Sequence, residues 1–111
     1  MITNKTTNKV ISNKEVVCKN FFTQMLGLMN KLGKTNLIMI FNKERRISLH
    51  MFFVFYPIDV LILDENKKVI EIKENFKPFT FWTAKNKGKH LIELGKKESK
   101  GKVSVGDLLE F

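Results

Sequence analysis

The chain lacks most of the residues that build cross-linked or loop-rich architectures. It holds one cysteine, Cys18. No disulfide can therefore form within it, and a small secreted disulfide scaffold is excluded. Two prolines and six glycines among 111 residues leave no Pro/Gly/Ser-rich linker. One domain over 1–111 is expected, because the chain is too short for two substantial cores. Long apolar runs are missing too. The longest, Met51 to Leu63, is broken by Pro57 and carries Asp59. A membrane-spanning helix needs about 20 apolar residues, so none is predicted. No apolar segment of about 7–15 residues follows the polar start Met1 to Lys9, so no secretion signal is read and a cytoplasmic location is expected. Residues 1–9 are expected to be loose.

Chemical signatures are equally sparse. Gly33-Lys34-Thr35 copies the end of a phosphate-binding loop. The required upstream glycine is out of place, and the order of elements around it is reversed. No Gly-x-Ser-x-Gly elbow occurs. His90 and Glu93 have ligand-like spacing only on a helix; on a strand they point to opposite faces and cannot chelate. No closely spaced Cys/His ligands are present. No metal site, cofactor or catalytic signature is therefore predicted, and the balance leans against an enzyme.

What is present is a β pattern. Of the residues, 43% are hydrophobic and 11% aromatic, which suits a packed core. Val10-Ile11 and Val16-Val17-Cys18 flank Asn13-Lys14, a predicted hairpin. Phe21, Phe22, Met25, Leu28 and Met29 recur at helical spacing after Asn20, and Gly33 stops them, so a short helix is expected over about 21–32. Leu37 to Phe41 reads as a strand buried on both faces. Residues 45–56 alternate, with Ile47, Leu49, Met51, Phe53 and Phe55 on a core face and His50 on a mixed one. Ile58 to Leu63 resumes as strand. Asp64 to Lys67 makes a turn, and Val69 to Ile72 pairs back with Ile70 and Ile72 inward. Further strands are predicted at Leu91–Leu94, Val103–Val105 and Leu108–Phe111. The fold class is mainly β: a small closed or partly open antiparallel barrel or sandwich with one short helix.

Several segments carry a resemblance. Gly27-Leu28-Met29-Asn30-Lys31 is similar to a Gly-Leu-Met-x-Arg signature. His50-Met51 with Pro57-Ile58-Asp59-Val60 is similar to a Met…Pro-Leu-Asp-Val pair. Leu91-Ile92-Glu93-Leu94 and Gly106-Asp107 are similar to closing Val-Leu-Glu-Leu and Gly-Asp elements. In this order, over about Lys9 to Phe111, they resemble the domain-of-unknown-function 192 family, also called uncharacterised protein family 0127. The resemblance implies a compact, mainly β fold with one helix and no assigned reaction. Lys31 stands where many members have arginine, and Phe52-Phe53-Val54 replaces a polar triplet.

Asp59 lies among apolar residues on both faces and is expected to be buried. A buried carboxylate needs a cation or several donors, and Lys31 is the expected partner in an ion pair tying helix to sheet. Glu93 invites the same argument. His50, Asp59, Trp82 and Glu93 together form the candidate ligand-binding region, suited to a small polar molecule such as a sugar or metabolite. A non-enzymatic small-ligand module is the first functional reading.

Two alternatives stand beside it. The net charge is +9, concentrated in residues 30–46 (+4) and 84–102 (+5). A basic nucleic-acid module could use Lys85, Lys87, Lys89, Lys96 and Lys97 on phosphates, with Phe79, Phe81 and Trp82 stacking on bases. Only Arg45 and Arg46 supply arginine's fork, however, and ten asparagines suggest a compositional origin for the lysines. The other alternative is a glycoside-type enzyme with Asp59 and Glu93 as acid and base, which requires the two carboxyls to share a cleft about 5–10 Å apart.

Overall fold

A computed structural model describes residues 1–13, 15–18, 36–50, 57–77, 80–95 and 99–111, with backbone alone at 16, 18, 47–50 and 81. Among the described residues eight strands follow one another: β1 (Ile2–Asn4), β2 (Lys9–Ser12), β3 (Glu15–Cys18), β4 (Asn36–His50), β5 (Ile58–Leu63), β6 (Val69–Phe76), β7 (Phe81–Gly95) and β8 (Leu109–Glu110). They form a three-stranded sheet, β2-β1-β8, and a five-stranded sheet, β3-β4-β7-β5-β6. Every pairing is antiparallel except β3 with β4, which is parallel. The mainly β expectation holds. The expected helix over 21–32 and the strand over 51–56 lie outside the described residues.

β7 is the central strand of the large sheet, and β5 lies between it and the edge strand β6. All six β5 residues are buried, as expected for a strand flanked by two partners and apolar at every position but Asp59. Alternation along β5 and β7 divides the side chains between two cores. Ile38, Leu61, Leu63, Ile92 and Leu94 pack on one face against Ile2, Ile11 and Leu109 of the small sheet. Leu37, Met39, Val60, Ile62 and Leu91 pack on the other face with Phe76 and Ala84. Each fully buried Leu or Ile contributes about 1.5–3 kcal/mol over exposure.

The large sheet curls without closing into a barrel. Four β4 residues lie between the pairs Ile40↔His90 and Arg45↔Gly88, where β7 has only Lys89. Between Arg46↔Lys87 and Ser48↔Thr83 the excess is on β7. Unequal counts of this kind bend a paired ribbon. The bend returns Ala84 and half-buried Trp82 to the core formed by Val60, Ile62 and Phe76. There β6 meets β7 through a side chain: the Glu71 carboxylate accepts the Lys85 N–H (2.9 Å) and the Asn86 N–H (3.1 Å).

Four local expectations are corrected. Residues 1–9 are not loose throughout: Ile2 and Asn4 are wholly buried at the centre of the small sheet, and residues 5–8 form an exposed turn. Asn4 Nδ2 donates to the Lys102 carbonyl (2.8 Å) and to Asp107 Oδ2 (2.7 Å), which ties the strand down across the chain. β2 and β3 do not form a hairpin; they belong to different sheets. Val103–Val105 is not a strand but part of a turning segment with left-handed glycines at Gly101 (φ 74°) and Gly106 (φ 101°). Ile70 and Ile72 are both half-buried, but on opposite faces. A register shift sets Leu63 against Val69 and Ile62 against Glu71, and the extra residue turns Ile70 over.

Candidate functional site

The two buried carboxylates sit on neighbouring strands in adjacent registers. Asp59 is opposite Leu94, and Val60 is opposite Glu93. Successive positions on a strand point to opposite faces, so the two carboxyls face opposite sides of the sheet. Asp59 shares the face of Leu61, and Glu93 shares the face of Leu91. They cannot flank one glycosidic bond, and the glycoside-type reading is withdrawn.

Asp59 is 2% exposed and accepts three hydrogen bonds: Asn75 N–H (2.9 Å), Ser99 N–H (3.3 Å) and Ser99 Oγ–H (2.7 Å). These donors are what a buried carboxylate needs. They anchor two segments to β5: the irregular end of β6 at Asn75, which is left-handed (φ 51°), and the bend at Ser99. Lys31, the expected ion-pair partner, lies outside the described residues.

Glu93 is equally buried, but its Oε2 has no hydrogen-bond partner among the described residues. Burial alone pushes its carboxyl up to about 8. At neutral pH the group is therefore mostly a neutral acid, because nothing described compensates for the lost hydration.

His90 lies on the face opposite Glu93. Its Nδ1 is 3.0 Å from the Asp64 carbonyl, which makes Nδ1 the protonated nitrogen. Its ring meets Phe111 edge-on at 5.5 Å. Burial holds its pKa below the ordinary histidine value, and the Asp64 carbonyl partly offsets that. Among the described residues no group of three or more His, Cys, Asp or Glu could hold a metal ion. No helix there is long and apolar enough to cross a membrane.

Of the four residues read as one ligand region, Asp59 and Glu93 are on opposite faces of the sheet. His50 ends β4 opposite Phe81, where backbone alone is described. Trp82 packs edge-to-face on Phe76 at 6.3 Å and belongs to the core. Of the lysines, Lys85 and Lys87 are exposed and Lys89 is half-buried. Lys96, Lys97 and Phe79 lie outside the described residues.

A concavity does form elsewhere. An open groove of about 580 Å³ is lined by Glu44, Asp64, Lys68, Val69, Ile70, Asn86, Lys87, Val105 and Gly106. Val69 and Ile70 give it an apolar floor. Asp64 Oδ1 is committed to the Asn66 and Lys68 N–H groups, which shape the turn at its rim. Glu44, Lys68 and Lys87 form no side-chain ion pair with any described residue. Glu44 comes from the bulged part of β4, Lys68 from the turn before β6, Asn86 and Lys87 from bent β7, and Gly106 from the last turn. No local motif joins these segments. The one sequence signal is a lysine beside each turn or bulge, and lysines are abundant throughout.

The whole fold has known counterparts. The DUF192 family model, described as uncharacterized ACR, matches residues 2–111. A UPF0127 protein of Thermococcus sibiricus is 34% identical over 96 residues, 84% of this chain and 62% of that protein. The chain thus spans less than two thirds of that relative's length. A UPF0127 protein of Pyrococcus horikoshii is 33% identical over 115 aligned residues, 100% of this chain and 98% of that protein. Two crystal structures share the fold at low identity. A Sinorhizobium meliloti protein provisionally described as a transcription regulator has TM-score 0.75 and 22% identity, covering 85% of this chain and 78% of its own. A protein of unknown function from Novosphingobium aromaticivorans has TM-score 0.74 and 21% identity, covering 86% of this chain and 72% of its own. The chain belongs to the DUF192 (UPF0127) family, whose members carry no assigned reaction in these names.

Proposed function

We propose that this chain is a binding module for a small polar molecule, and that the ligand seats in the groove between the β4 bulge, the turn before β6 and the 105–106 turn. One observation carries the reading. Two lysines and a carboxylate, none of them in an ion pair with a described residue, surround an apolar floor in about 580 Å³. A volume of this size falls within the roughly 300–1,000 Å³ of small-molecule sites, and a few convergent polar groups on an apolar surface set orientation. Charges of both signs in the lining favour a ligand that bears both an acidic group and hydroxyl or amino donors, such as an acidic sugar or an amino acid. The reading asks nothing of Asp59 or Glu93.

A thermal-shift screen of sugar acids, amino acids and neutral sugars tests it. A ligand at 100 times its Kd stabilises the native state by about 2.7 kcal/mol. The expected hit raises the melting temperature in proportion to the logarithm of its concentration. Glu44→Gln with Lys68→Gln should remove that shift while leaving the unliganded melting temperature within about 2 °C, as exposed positions allow. No hit at millimolar concentration, or a shift untouched by the double variant, contradicts the reading.

A further inference from the structure

We infer that the exposed β4–β7 ribbon docks on double-stranded DNA through its phosphates, an activity beyond the groove, with which the ribbon shares Glu44 and Lys87. Residues 42–46 of β4 and 85–87 of β7 are all exposed. Lys43, Arg45, Arg46, Lys85, Lys87 and half-buried Lys89 gather there, including both arginines of the chain. Glu44 is the one acid in these two segments. Glu71 lies at the ribbon's foot, its carboxylate taken up by the Lys85 and Asn86 N–H groups. Six cations thus face two carboxylates. Arg46 stands directly opposite Lys87 in the ladder, an arrangement that costs stability unless an anion lies between or above the pair. None of the six cations forms an ion pair with a described residue; Arg45 instead rests over the Phe41 ring at 5.4 Å.

Shape selects the anion. Arg45 and Arg46 are successive residues of one strand, so they present charge on both faces of the ribbon. A flat acidic protein surface would engage one face. A major groove about 12 Å wide admits a two-stranded ribbon and places phosphates on either side of it. Recognition of this kind neutralises backbone charge and carries no sequence preference.

The test is fluorescence anisotropy of the full chain with a labelled duplex DNA, a duplex RNA of the same sequence and poly-glutamate, at about 50 and 200 mM salt. Arg45→Gln/Arg46→Gln is compared with a control, Lys5→Gln/Lys100→Gln, which removes two exposed charges elsewhere. Circular dichroism confirms that each variant folds. The inference predicts duplex binding that falls steeply with salt. It predicts that the arginine variant weakens binding about tenfold or more at low salt and lowers the salt slope by nearly one unit per lost phosphate contact. The control should change affinity less than about twofold, as a charge away from the contact does. Duplex DNA bound more tightly than duplex RNA supports the inference, because the deep, narrow major groove of A-form RNA does not admit a ribbon. No DNA binding at low salt, duplex RNA or poly-glutamate bound as tightly as duplex DNA, or equal losses in both variants would overturn it.

Discussion

Asp59 and Glu93 invite a direct comparison. Each is 2% exposed, and they are one register apart on paired strands. Asp59 meets three donors; Glu93 Oε2 meets none among the described residues. The difference comes from the two faces. On the Asp59 side the irregular end of β6 and the bend at Ser99 bring donors to it. Glu93 is set among Leu37, Val60 and Leu91. Equal burial therefore gives one group a structural role and leaves the other an uncompensated cost. Burial alone does not identify a functional carboxylate; its partners do.

The comparison breaks first at Asp59. Asp59→Ala leaves the buried Ser99 N–H and hydroxyl without an acceptor and frees the part-buried Asn75 N–H, and each unsatisfied buried group costs about 1–3 kcal/mol. Urea unfolding should show a loss on the order of 3 kcal/mol. A loss below about 1 kcal/mol would mean that the two segments hold without it.

Glu93 predicts the opposite sign. Its folded-state pKa of about 8 lies above its usual value near 4.5. Between those values the folded state keeps a proton that the unfolded chain has released, so stability falls as pH rises through the window and levels off above about 8. Each full unit of that window costs up to about 1.4 kcal/mol. Glu93→Gln keeps the shape and removes the titration. It should raise stability at pH 8 by about 1 kcal/mol or more and flatten the slope.

His90, on the other face, sharpens the contrast. Its folded-state pKa is lowered, so the unfolded chain binds the proton first as pH falls below 6.5. Stability therefore drops on the acid side, against the Glu93 trend. The two slopes oppose each other where the windows overlap, and the Glu93 slope stands alone above pH 6.5. His90→Gln should remove only the acid-side loss, seen as a steeper net decline with rising pH below 6.5.

The smallest effect concerns the ribbon's foot. Glu71→Gln should cost about 1 kcal/mol, since a charge-assisted acceptor becomes a neutral one. It should also speed hydrogen exchange at the Lys85 and Asn86 amides while leaving those of β5 unchanged.

Much of the scaffold was legible in local pattern. The run Ile58 to Leu63, the Asp64–Lys67 turn and the return strand from Val69 all appear as read, because hydrophobic period and turn chemistry are local. Burial of Asp59 followed from apolar neighbours on both sides. Its donors did not, since Asn75 and Ser99 lie 16 and 40 positions away. The buried N-terminal strand was missed for the same reason: Asn4 is satisfied by Lys102 and Asp107, 98 and 103 positions distant. A polar start looked loose because its partners come from the other end of the chain. The groove and the cationic ribbon depend on where β4 and β7 bulge, and strand register is set by tertiary packing rather than by composition.

The contrast between the two carboxylates is tested most directly by carbon-13 NMR titration of the Glu93 side-chain carboxyl in the folded protein. A midpoint near 8 is expected, far from the ordinary glutamate range. A midpoint at or below about 4.5 would show that Glu93 has a cation or donors after all, and that the two faces treat their acids alike.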